Sequence, residues 1–139
     1  MLPPPPSPVG SFDAETGLWT NSEPWRCDIG GGRTLMIAPG FRSDGASVPR
    51  ILWGVVGPQY APDTFPAAFC HDALYAAELV ERGDADDVFY QHLIALGVRR
   101  LKALLYWRAV RMAGWIVWRR HTEESIAHAR QFAVLGSVT

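Results

Sequence analysis

Two short segments carry the side chains with the most chemistry: Asp44-Gly45-Ala46-Ser47-Val48-Pro49 and, a little further on, His71-Asp72-Ala73-Leu74-Tyr75. Carboxylates, an imidazole and a phenol are costly to remove from water unless they pair, bind a metal or react, and here they sit among Phe65, Ala67, Ala68, Phe69 and Leu74. The pattern therefore marks a candidate active site, in which acid–base chemistry and metal binding are both open.

On a helix His71 and Tyr75 lie four apart and Asp72 and Tyr75 three apart, so the phenol neighbours one or both on adjoining faces. His71 and Asp72 diverge by about 100° around the axis and cannot form a relay with each other. Asp72 would then face a metal together with Asp44, while His71 faces water and is oriented by a carboxylate from another helix. Asp86 suits that orienting role best, with Asp84 and Asp87 as alternatives. Oxygen ligands from Asp44, Asp72 and a backbone carbonyl of the Asp44-Gly45 turn favour a hard ion such as calcium over zinc.

Each residue also has a purely structural reading. Asp-Gly is a common turn pair, and Asp86 could be a helix-start charge that suits the macrodipole. His71 and Tyr75 could be core side chains with their polar atoms satisfied. Ser47 as a nucleophile activated by His71 is a competing idea, but it lacks the Gly-x-Ser-x-Gly elbow. A phosphohydrolase built on a His-Asp doublet would want a further histidine upstream, and His71 is the first in the chain.

The elements that must position these groups can be read from punctuation and periodicity. Residues 1–10 form a proline-rich arm, expected to be flexible and polyproline-like, ahead of a single domain over 11–139. Residues 12–26 read as loop and short strand anchored by Trp19 and Trp25, and 33–41 as a strand preceded by a Gly30-Gly31-Gly32 hairpin turn. The glycine run leads into a strand and has no following Lys-Ser/Thr pair, so a phosphate loop is disfavoured. Residues 42–64 read as a long irregular loop, closing a β-and-loop portion over 11–64.

A helical body follows over 65–136. Pro66 suits the first turn of a helix running to about Val80, and Asp84 would cap a second, Ala85 to Leu96, closed by Gly97. A third helix spans Val98 to about Arg120, and Thr122 would cap a fourth ending near Gly136. The fold class expected is mainly α with a small N-terminal β segment.

At 139 residues and 48% apolar composition, one modest core is the natural outcome. Two cysteines, Cys27 and Cys70, are too few for a disulfide scaffold and have no Cys-x-x-Cys spacing, which points to a reducing compartment. The N-terminus lacks the basic start and apolar run of a secretory signal, so a location that needs no such signal is expected.

The net charge of −1 hides an uneven distribution: Arg99, Arg100, Lys102, Arg108, Arg111, Arg119 and Arg120 fall in one stretch without an acid. Mixed with Leu101, Leu104, Leu105, Trp107, Ile116 and Trp118, they suit an interfacial helix over 99–120 on anionic lipid. A core helix with snorkelling arginines explains the same pattern. No run approaches the about 20 apolar residues that span a bilayer. Nucleic acid is disfavoured as a partner by the slightly acidic whole.

At these residues the chain resembles an uncharacterised phage and prophage family, domain of unknown function family 1353. The shared pattern is Phe-x-x-Asp-Gly-Ala-Ser-x-Pro-Arg at Phe41 to Arg50, His-Asp-x-x-Tyr at His71 to Tyr75, Ala-Asp-x-x-Phe at Ala85 to Phe89 and Gly97-Val98, covering roughly residues 35–118. More distantly it is similar to the calcium-dependent phospholipase A2 superfamily, with its Asp-Gly-x-Ser-type calcium turn and His-Asp-x-x-Tyr helix. That likeness implies a phospholipase A2-like helical core. It also implies calcium on Asp44, the Gly45 carbonyl and Asp72, His71 as general base, and Tyr75 and Asp86 in support. Ala46 stands where those enzymes tend to have a cysteine, and Cys70 abuts His71, so their local disulfide is not carried over. The expectation is a phage-type, calcium-dependent lipid-ester hydrolase. Its rival is a non-catalytic phage structural or assembly protein that contacts other virion proteins.

Overall fold

Three successive glycines, Gly30 to Gly32, all take positive φ (89°, 64° and 73°) and turn the chain back on itself. The computed structural model describes residues 2–43 and 61–137, and in it this turn joins strands β3 (Trp25–Gly30) and β4 (Arg33–Ile37). Alternation along β3 and β4 buries Trp25, Cys27, Ile29, Leu35 and Ile37 on one face. A first sheet precedes them: β1 (Gly10–Asp13) and β2 (Leu18–Asn21) pair antiparallel, and β2 also takes the short β5 (Arg42–Ser43). Buried Asn21 links the two sheets, because its amide donates to the carbonyls of Glu23 and Ala38 while its oxygen accepts from Phe41 N–H.

Four helices follow among the described residues: α1 (Phe65–Ala76), α2 (Arg82–Ala95), α3 (Arg100–Arg119) and α4 (Glu123–Arg130). Pro66 lies in the first turn of α1, where a missing N–H costs nothing. α1 is buried almost throughout, and its Phe69 meets Trp19, Trp25 and Phe41 edge-on at centroid distances of 5.4, 5.1 and 5.7 Å. α3 buries Ala103, Tyr106, Ala109, Val110 and Gly114, a stripe at helical spacing that packs on α2. α4 is closed at its start by a reciprocal capping box between Thr122 and Ser125.

The chain then departs from the expected pattern. Where a fourth helix to about Gly136 was expected, α4 stops at Arg130, and Ala133–Ser137 form β6, which pairs antiparallel with β4 from Ile37↔Ala133 to Arg33↔Ser137. The fold is therefore not mainly α with a small N-terminal β segment, nor a phospholipase A2-like helical core: two three-stranded antiparallel sheets, β1-β2-β5 and β3-β4-β6, stand beside the helices. The physical reason is the outer edge of β4, whose backbone groups need a partner that the N-terminal hairpin alone does not supply. Helix limits also shift. α1 ends at Ala76 rather than near Val80, and α2 begins at Arg82 with Glu81 at the cap position, leaving Asp84 in its first turn. In the N-terminal segment Pro5 is buried, the Pro6 carbonyl accepts from Trp25 Nε1 at 2.7 Å, and Leu2 packs on the core.

Candidate functional site

His71 and Tyr75 project from one side of α1 one turn apart, with ring centroids at 4.2 Å. Both reach the same oxygen of Asp86 on α2: His71 Nε2 lies 2.7 Å from Oδ1, and the Tyr75 hydroxyl donates to it at 2.7 Å. The other oxygen accepts from Arg111 Nη1 of α3 at 3.0 Å, with Arg82 Nη1, one turn before Asp86, at 3.6 Å. Arg82 is itself held by the backbone carbonyl of Arg111 at 3.2 Å. Three helices thus converge on one fully buried carboxylate.

Burial pushes the Asp86 carboxyl upward, but the hydrogen bonds from His71, Tyr75 and Arg111 outweigh it and hold the group below its ordinary value. Asp86 is accordingly an anion that accepts from Nε2–H. Burial and then the Asp86 charge push the Tyr75 phenol well above its usual range, so it stays a donor. Of the alternatives, Asp87 accepts from Trp107 Nε1 at 3.0 Å on the surface, and Asp84 is exposed.

Asp72 points elsewhere, as the helical angle requires, and accepts a hydrogen bond from the Ser43 hydroxyl at the end of β5. Asp44, Gly45 and Ser47 lie outside the described residues, so of the expected calcium ligands only Asp72 has a described position.

His71, Asp72 and Tyr75 line one wall of a cleft of about 350 Å³, with Arg42 and Phe41 beside them and Gly114, Ile116 and Val117 of α3 opposite. Gly114 is required there, since a Cβ would overlap the Tyr75 hydroxyl and come within 3.2 Å of Arg82 Nη1. A further polar group reaches the same cleft. His121, two residues past the end of α3, bonds through Nδ1 to Glu78 Oε2 at 2.8 Å, and Glu78 has a φ of 46°. It is the one non-glycine residue with positive φ among those described, a conformation that costs energy and is held by its surroundings. Neither Arg111 nor the His121–Glu78 pair was found from sequence, because each partner lies far along the chain and no spacing connects them.

Four helices beside two small antiparallel sheets, with a carboxylate-held histidine on a cleft, define an α+β protein among the described residues. A family model described as Protein of unknown function (DUF1353) matches residues 19–110, most of the chain, and the protein belongs to that family. The matched stretch contains His71, Asp72, Tyr75 and Asp86 and ends just before Arg111. No curated protein and no solved structure matches the chain.

Proposed function

We propose that the protein hydrolyses carboxylic esters of lipids, in the manner of a phospholipase A2, as part of a phage or prophage. The observation that carries this reading is the His71 Nε2–Asp86 contact at the wall of the cleft, with Tyr75 and Arg111 fixing the carboxylate. In the proposed reaction His71 Nδ1 takes a proton from water as the water oxygen attacks the ester carbonyl, whose electron pair moves to its oxygen. When that pair returns, the acyl–oxygen bond breaks and the proton on His71 passes to the departing alkoxide. Asp86 stabilises the transient imidazolium through Nε2–H, and Tyr75 and Arg111 hold Asp86 in place. Asp72, with Asp44 and the Gly45 carbonyl, would hold a calcium ion, whose contribution is Lewis-acid stabilisation of the oxyanion.

The substrate class is supported by the exposed apolar residues of α3, of which Ile116 and Val117 line the cleft. Leu101 and Met112 are 72% and 69% exposed, and Trp115, Ile116 and Val117 are also exposed. Arg119 stacks on Trp115 at 5.3 Å, an aromatic and basic mixture that suits an anionic lipid surface. The basic surface is smaller than the sequence implied, since Arg111 turns inward to Asp86 and Lys102 reaches Asp63 at 3.9 Å. No described helix is long and apolar enough to cross a membrane.

A non-catalytic assembly role is the second reading, favoured by the completeness with which Asp86 gathers donors from α1, α2 and α3. Release of fatty acid from phosphatidylglycerol vesicles, with calcium and with chelator, separates the two. Hydrolysis that falls by about 10²–10⁴ in His71→Gln while the melting temperature holds supports the hydrolase. An inactive wild-type protein, with a large stability loss in His71→Gln, supports the assembly role.

A further inference from the structure

Three side chains with no connecting sequence spacing meet in the core: Cys27 of β3, Cys70 of α1 and His92 of α2. Their ligand atoms all lie within 4.8 Å of one another, the two sulfurs 3.5 Å apart. Cys70 and His92 have no exposed surface and Cys27 almost none. His92 Nε2 lies 2.9 Å from the Asp28 carbonyl, which can only accept, so Nε2 carries the ring proton and Nδ1 carries the lone pair. That Nδ1 is shielded from solvent and has no hydrogen-bond partner among the described residues. A buried acceptor left in this state is costly and calls for an explanation.

We propose that Cys27, Cys70 and His92 form a buried binding site for zinc. Thiolate and imidazole are the donors this ion prefers, and they would not suit calcium. Two thiolates at about 2.3 Å from a tetrahedral ion sit about 3.8 Å apart, so the observed 3.5 Å needs only a small adjustment. A disulfide bond at about 2.05 Å would need a far larger one. Charge favours zinc as well, because two thiolates neutralise a dication and leave no net charge in the core. The Nε2–H to Asp28 carbonyl bond is the outer contact that orients ligating histidines.

With Nε2–H directed at the Asp28 carbonyl, the neutral imidazole presents its lone pair at Nδ1, whereas thiols ligate as thiolates and must give up their protons. Binding releases two protons per zinc and strengthens as pH rises. The fourth position falls to water or a further residue. The site clamps β3 to α1 and α2, and Cys70 directly precedes His71, so zinc would fix the helix spacing on which the His71–Asp86 contact depends.

The test is a titration of cobalt, then zinc, into the reduced, chelator-treated full chain. The expected result is one equivalent of cobalt with a thiolate charge-transfer band in the near ultraviolet, displacement by zinc, and a rise in melting temperature. His92→Gln and Cys27→Ala should weaken binding beyond the about 10–100-fold typical of losing an outer contact. Asp72→Asn, at the cleft, should bind zinc as the wild type does, which separates this site from the calcium reading. Should a core variant fail to fold, the wild-type protein still decides: zinc should protect both thiols from alkylation. No band and no thermal shift in the wild type overturn the proposal. So does recovery of a Cys27–Cys70 disulfide that persists in the presence of zinc.

Discussion

Asp86 is the residue on which most depends, because a carboxylate with three strong donors leaves each of them stranded when it is removed. Asp86→Ala should cost about 3 kcal/mol by urea denaturation, the low end for a broken buried pair, since Arg111 is 34% exposed and can rehydrate. Tyr75→Phe keeps the ring contact with Trp118 at 5.2 Å and loses one charged hydrogen bond, so about 1.5 kcal/mol is expected from the same measurement. The pH dependence has two windows. His92 is held below its ordinary 6.5 by burial, so in metal-free protein its contribution is complete above that pH. It declines as pH falls, because the unfolded chain then binds a proton that the core refuses. Asp86 is held below its ordinary 3.8, so its contribution is complete above that value and is lost as pH falls through the folded value. Stability measured against pH should show both losses. In Asp86→Asn the lower one should vanish while the upper one remains.

Among the elements, α3 gives the sharpest test, because Gly114 sits where helix propensity and packing oppose each other. Alanine there should gain about 1 kcal/mol of propensity, yet its Cβ would drive the Tyr75 ring away from Asp86. We expect Gly114→Ala to be destabilising by about 1–2 kcal/mol net, as overpacking usually is, and to lower hydrolysis; a stabilised, active variant would refute the tight fit. The same elements explain what could be read from sequence. The third helix and the turn at the glycine run were legible, but the buried stripe of α3 was not: the sequence draws the eye to Leu101, Leu104, Leu105 and Ile116, which stay exposed, while the smaller Ala103, Ala109 and Gly114 go inward with Tyr106 and Val110. His71 and Tyr75 were legible as helical neighbours, and Asp86 as a carboxylate on the next helix. β6 was not, because Ala133 to Ser137 shows no clean alternation and becomes a strand only by pairing with β4. Arg111, the His121–Glu78 pair and the Cys27–Cys70–His92 cluster were hidden for a related reason: tertiary packing creates them.

Taken as a whole, the molecule places its cleft beside the exposed apolar residues of α3, which makes membrane attachment testable apart from catalysis. The protein should co-sediment with anionic vesicles at low salt and dissociate as salt rises. Arg119→Ala and Arg120→Ala should each weaken that binding by about 1 kcal/mol, and Met112→Glu should weaken it further. Equal partition onto neutral and anionic vesicles would remove the electrostatic argument.

The pairing of β6 with β4 also has a meaning in time. A chain emerging from the ribosome can complete the β3–β4 hairpin early, but the outer edge of β4 must wait roughly a hundred residues for its partner. At about 5–20 residues per second that lag is on the order of 5–20 s. Throughout it a row of unpaired backbone groups is open to any other strand, including the same edge of a second nascent copy. The hazard in this fold is thus one of schedule, and slower synthesis should lengthen it.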